Sequence, residues 1–297
     1  MRYFENLHPI CILCYFVAVI GLTLTCFHPV MLLVSLLGAL AFLIRLKGGR
    51  GAVRHLSFVI PMSLLVAIAN PLINHRGVTL LGLFLNQWIT LEAIAYGITA
   101  GLSLAALILW FGCYSEVMTS EKFLYLFGKI APASALLISM ALQLVPKLNR
   151  QLTEIRESQE MLRPERKNLS GKLGTALRHT STLVGWSLEG AVEQTDSMKA
   201  RGYGLRRRTT FHLFHFDYRD LRFFCGVMIL FGVCVIARAF GHGTMEFYPR
   251  MDAVITGQSG ILLYILFGML AFLPAILEGS GCSGLQDAIR LMEDLDQ

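Results

Sequence analysis

Long apolar runs separated by short polar breaks dominate the chain. A bilayer-spanning helix needs about 20 mostly apolar residues. Runs of that kind fall at roughly 9–27, 28–46, 56–73, 91–113, 222–240 and 260–278. His28-Pro29 stands in the tight turn between the first two. The pattern predicts an all-α, polytopic membrane helical bundle of about six spans. Residues 74–90 are semi-apolar but too short to span, and are expected to form an extracellular or re-entrant turn.

Between the fourth and fifth runs the pattern changes. Residues 114–221 form a helical insert in which apolar positions recur at helical spacing among charges. Ala141, Val145, Leu148, Leu152, Ile155 and Leu162 fall on one stripe, with Gln159 filling a missing step. Arg150–Glu154 and Arg156–Glu160 are spaced as i,i+4 pairs on the wet faces. Pro146 lacks a backbone donor and is expected to bend this helix. A second stripe comprises Val184, Leu188, Ala191, Val192, Thr195 and Met198, with Glu189 and Glu193 on another face. It runs into Lys199-Ala200-Arg201-Gly202-Tyr203-Gly204. Gly202 and Gly204 are suited to the left-handed conformation that ends a helix. Arg201 then projects near a helix C-terminus, where a cation is electrostatically favoured. C-capping alone and a docking role are both consistent with this placement.

Charge turns the runs into a topology. Arg45, Lys47, Arg50 and Arg54 follow the second run, so the positive-inside rule makes that loop cytoplasmic. The insert carries most of the remaining Lys and Arg, whereas the expected outer loops hold only Arg76 and Arg250. The expected organisation is N-terminal membrane helices in 1–113, a cytoplasmic or interfacial coupling region in 114–221, C-terminal membrane helices in 222–278 and a cytoplasmic tail in 279–297. Both termini are then cytoplasmic and the location is the cell membrane. Residues 127–145 are apolar enough to span. A span there would put the most basic stretch outside, so a buried or interfacial helix is preferred. The first run lacks an A-x-A cleavage site and a second span follows at once, so it reads as a span rather than a signal peptide. In the tail, Leu285, Ala288, Ile289, Met292 and Leu295 are spaced as in a short surface helix.

Composition agrees. Apolar residues make up 55% and charged residues 15% of the chain, against about a quarter charged in soluble domains. The net charge of +6 lies beside apolar spans, so it is read as a membrane topology signal and not as nucleic-acid binding.

Candidate chemistry is sparse. There is no phosphate-binding G-x-x-x-x-G-K-[ST], no H-E-x-x-H and no G-x-S-x-G. The chain is therefore read as non-enzymatic, with any ATP and Mg bound by other chains and no cofactor of its own. Cys11 and Cys14 form a C-x-x-C inside an apolar run, without the further ligands of a zinc site. His212, His215 and Asp217 invite a metal reading, but they lie in an aromatic stretch entering a membrane helix, so an interfacial belt is preferred and no metal site is assigned. Gly97 and Gly101 make a GxxxG, whose default use is close helix packing.

These residues resemble the transmembrane T component of energy-coupling factor (ECF) transporters, ABC-type importers of vitamins and transition-metal ions. The resemblance covers nearly the whole chain. It is carried by Asn70-Pro71-Leu72-Ile73-Asn74-His75-Arg76-Gly77-Val78-Thr79, by Thr119-Ser120-Glu121-Lys122-Phe123-Leu124 and by Leu144-Val145-Pro146. The most specific part is Glu189-Gly190-Ala191 followed by Ser197-Met198-Lys199-Ala200-Arg201-Gly202-Tyr203-Gly204 and Arg207-Arg208-Thr209. The family has two Ala-Arg-Gly-like motifs near the ends of coupling helices. The second is intact at Ala200, Arg201 and Gly202. The counterpart of the first is Leu162-Arg163-Pro164, which keeps only the arginine, with Arg156 and Arg166 nearby.

The resemblance implies a subunit that couples two ATPase subunits to a small substrate-binding membrane (S) subunit. It implies ATPase docking through Ala200, Arg201, Gly202 and Arg163, and coupling-helix faces that include Leu148, Leu152, Ile155, Leu188 and Met198. It also allows the Gly97–Gly101 face to receive the substrate-binding subunit. The alternative from another class is a self-sufficient permease or channel with an interfacial regulatory domain. That alternative needs ionisable residues along a pathway inside the spans, and the sequence offers almost none.

Overall fold

The computed structural model describes residues 4, 6–74, 79–84, 87–128, 131–162, 169–205, 214–241, 245, 247 and 260–278. They form helices α1 (Pro9–Thr25), α2 (Pro29–Ile73), α3 (Leu91–Val117), α4 (Ser120–Gly128), α5 (Pro132–Leu162), α6 (Leu169–Ala200), α7 (Tyr218–Ala239) and α8 (Gly260–Glu278). Strands β1 (Leu80–Phe84) and β2 (Gln87–Thr90) pair as an antiparallel hairpin within the stretch expected to be a turn. The chain divides into two compact units, 1–123 with 214–297, and 124–213.

α2 is two helices. Gly48, at φ 72° and ψ 171°, is non-helical inside its 45 residues. That backbone conformation is essentially restricted to glycine. Neighbours along α3 give the direction of each half. A Cβ on Gly97 would meet Ala67, one on Gly101 would meet Ser63, and one on Gly112 would meet His55. The second half of α2 therefore runs antiparallel to α3. Trp110 bonds Ser35, Cys113 the Ala39 carbonyl, and Glu116 pairs with Lys47. The first half thus runs parallel to α3, and the chain reverses at Gly48, inside the basic loop marked by Arg45, Lys47, Arg50 and Arg54.

The same reasoning orders the rest of this unit. His28 meets Tyr264, Val34 approaches Gly268 and Gly38 meets Ala271, so α8 is parallel to the first half of α2. Phe4 bonds Glu278 and Tyr15 the Leu270 carbonyl, so α1 is antiparallel to α8. Cys11 reaches Asp220 and Tyr15 meets Phe223, so α7 is parallel to α1. Successive apolar helices in the unit alternate in direction. The Gly48 end gathers the starts of α1 and α7 and the ends of α3 and α8.

The core is an aromatic mosaic. Phe4, Tyr15, Phe16, Phe42 and Trp110 are buried and meet largely edge to face, the arrangement that suits ring quadrupoles. Its polar atoms are satisfied in a chain: Trp110 Nε1 donates to Ser35 Oγ at 2.9 Å, and Ser35 Oγ lies 2.9 Å from Thr23 Oγ1. An unpaired polar group here would cost about 1–3 kcal/mol.

Outside that core the surface is apolar. Val17, Phe58, Leu65, Ile229, Leu262 and Ile265 are among many large side chains more than half exposed. Water penalises such a belt, whereas lipid does not. Among the described residues four helices, α2, α3, α7 and α8, are long and apolar enough to cross a membrane, and α1 is a shorter apolar helix. This is the surface of a membrane protein. α5, which contains much of the ambiguous 127–145 stretch, is not one of those four.

Candidate docking face of the helical insert

Within the 124–213 unit, α5 and α6 lie against each other. Lys147 Nζ stands 5.0 Å above the ring centre of Trp186, a cation–π contact joining the two helices. Beside it an open groove of about 420 Å³ is lined mainly by apolar atoms, with Met140, Leu144 and Met198 among its walls.

The two stripes are placed differently from an ordinary core. Ile155 is buried and Leu148 and Met198 are half-buried, but Leu152 is exposed. On α6, Val184, Leu188 and Val192 are at least half exposed. The apolar stripes thus largely face outward among the described residues. The Arg150 and Glu154 side chains are both exposed and do not pair with each other, nor with any other described residue, contrary to the i,i+4 expectation. On a wet helix face such a pair gains only a few tenths of a kcal/mol. The Glu160 side chain lies outside the described residues.

The end of α6 is a Schellman cap. Gly202 takes φ 82°. Its N–H donates to the Lys199 carbonyl at 3.0 Å, and the Tyr203 N–H donates to the Met198 carbonyl at 3.0 Å. These are the paired bonds by which a left-handed residue closes a helix. Gly204, at φ 97°, continues the turn. Ala200 ends the helix and Arg201 follows, exposed, with no ion pair or side-chain hydrogen bond among the described residues. A guanidinium held on a rigid turn and left unpaired offers its five donors to a partner. Arg163 lies outside the described residues.

Gly97 and Gly101 are used within the chain. A Cβ on Gly97 would lie 2.6 Å from the Ala67 carbonyl oxygen, and one on Gly101 would lie 2.7 Å from that of Ser63. Both glycines are buried against the second half of α2. Both thus serve close packing inside the chain, the default use of a GxxxG. Asp217 caps α7, its N–H donating to the Asp220 carboxylate at 3.4 Å, and His212 lies outside the described residues. No group of three or more potential metal ligands occurs among the described residues.

Two features were invisible in the linear pattern. The Lys147–Trp186 contact joins residues 39 positions apart, and Lys147 reads in sequence only as a wet-face base. Lys47 reads only as a topology charge, yet its ammonium lies 2.7 Å from Glu116 Oε2 and 2.9 Å from His55 Nε2. No protein-family model and no curated protein matches the chain.

Proposed function

We propose that this chain is the membrane-embedded coupling subunit of an ATP-driven importer of the energy-coupling factor type. The observation that carries the reading is the exposed Arg201, without an ion pair among the described residues, on the Schellman turn that ends α6. A rigid cation beside apolar helical stripes fits a partner with carboxylates or carbonyls at the rim of a groove. The partners are two ATPase subunits and a small substrate-binding membrane subunit, and the cargo class is vitamins or transition-metal ions. ATP and Mg belong to the ATPases.

In this reading α1, both halves of α2, α3, α7 and α8 make six crossings. The reversal at Gly48 and the alternating helix directions support that count. The Gly48 end carries Arg45, Lys47, Arg50 and Arg54, which favours its placement in the cytoplasm. α3 ends and α7 begins at that same end, so the chain leaves and re-enters the membrane helices on the side assigned to the cytoplasm. ATP-driven closure of those subunits moves α5 and α6, and the motion is passed to the substrate-binding subunit.

The test is a mild-detergent pull-down of the full chain from its native membrane. Recovery of two ATPase copies and a small membrane partner is the expected result. Recovery of a lone chain that transports by itself overturns the reading in favour of a permease.

A further inference from the structure

The inner junction of three helix segments contains a polar triad that membrane coupling as such does not require. Lys47, the last residue before the Gly48 break, donates to Glu116 Oε2 at 2.7 Å and to His55 Nε2 at 2.9 Å. Lys47 belongs to the first half of α2, His55 to the second and Glu116 to the last turn of α3. One ammonium therefore ties all three segments where the chain reverses.

The surroundings fit this geometry. Gly112 of α3 lies beside the imidazole, where even a Cβ would make only an ordinary contact, 3.8 Å from His55 Nδ1. Glu116 stands near the C-terminus of α3, where the helix dipole disfavours a carboxylate and the last turn has no base. Lys47 supplies the missing positive charge. The Lys47 and Glu116 side chains are 25% and 37% exposed, so the junction is reachable by water.

The hydrogen-bond roles are fixed by chemistry. An ammonium has three donors and no acceptor, so His55 must accept with an unprotonated Nε2. Protonating the ring turns Nε2 into a second donor, and two cations then face each other at bonding distance. Histidine is the side chain whose charge ordinarily changes between about pH 5 and 8. The charged groups tied to the ring are Lys47 from the first half of α2 and, through Lys47, Glu116 from α3; Arg50 and Arg54 on its own helix segment are exposed. Cys113 on α3 is turned to the Ala39 carbonyl instead.

We propose that Lys47, His55 and Glu116 form a proton-operated clamp that holds the second half of α2 to α3 at the Gly48 end and releases it as pH falls. Neutral His55 closes the clamp, and imidazolium opens the His55 side while Lys47 keeps Glu116. α3 is the helix from which the chain continues into the insert, so an open clamp loosens the base of that connection. The clamp depends on the membrane bundle alone and not on the ATPase reading, so each can fail without the other.

The test uses the full-length protein in nanodiscs and hydrogen exchange of the amides in 112–117, corrected for the intrinsic pH dependence of exchange. Wild-type exchange is expected to rise several-fold between pH 7.5 and 5.5, and by no more than about tenfold per pH unit for one proton. His55→Gln, which keeps a neutral acceptor, is expected to exchange slowly across the range. Lys47→Gln, which keeps the imidazole and removes the ammonium, is expected to exchange fast at every pH. A flat wild-type profile overturns the proposal, as does a wild-type-like profile in either variant.

Discussion

The Ala67 carbonyl oxygen stands 2.6 Å from the point where a Cβ on Gly97 would sit. Pro71, four residues after Ala67, has no N–H to give that carbonyl, so the usual helical bond is missing. The oxygen lies where a side chain on residue 97 would have to go, so only glycine lets the two backbones approach this closely. Gly97→Ala forces the second half of α2 away from α3 and is expected to destabilise by about 1–3 kcal/mol. Gly101→Ala, facing the Ser63 carbonyl, behaves similarly. Thermal unfolding in detergent measures both. A Gly97→Ala protein with an unchanged midpoint contradicts the packing account.

Neighbouring glycines at the chain reversal should behave oppositely. Gly48 holds a backbone conformation that a side chain strains, so Gly48→Ala is expected to cost about 1–3 kcal/mol. Gly49 faces open space, so Gly49→Ala should be neutral or stabilise by up to about 1 kcal/mol. Comparing the two unfolding midpoints checks the assignment without reference to function.

The Arg201 role is tested by changing the charge and the turn separately. Arg201→Glu should abolish co-purification with ATPase subunits while membrane insertion is retained. Losing one partner of a buried charge pair costs on the order of 2–5 kcal/mol, which weakens binding by about 30-fold or more. Gly202→Ala strains the left-handed position by about 1–2 kcal/mol and crowds Leu205 Cδ1, 3.0 Å from the new Cβ. Its docking should weaken although every charge remains. Arg163→Glu is to be measured apart from Arg201→Glu by the same pull-down, because the Leu162-Arg163-Pro164 stretch keeps only the arginine of the family motif.

Topology is checked with single cysteines in a background lacking the native ones. Arg50→Cys and Lys147→Cys should react with a membrane-impermeant maleimide only after the cells are opened. Asn74→Cys, exposed at the other end of the bundle, should react in intact cells. Labelling of position 147 in intact cells would reverse the orientation of the insert.

The sequence by itself determined the helices and their punctuation. Apolar runs long enough to cross a bilayer marked α2, α3, α7 and α8 to within a few residues, because lipid demands an uninterrupted helical backbone. Gly202 announced the end of α6, because few residues other than glycine adopt a positive φ at no cost. Which faces meet was decided only by the tertiary structure. The Gly97–Gly101 pair is compatible with an internal or an external partner, and only the fold brings Ala67 and Ser63 against it. The stripe from Ala141 to Leu162 on α5 follows from periodicity, but periodicity cannot tell a buried stripe from one left open, and here only part of it is covered. Lys47, His55 and Glu116 lie up to 69 positions apart, and their junction exists because the chain reverses at Gly48 and α3 packs back along both halves. Local patterns record the solvent each residue expects, whereas contacts between distant residues depend on how the helices are arranged in space.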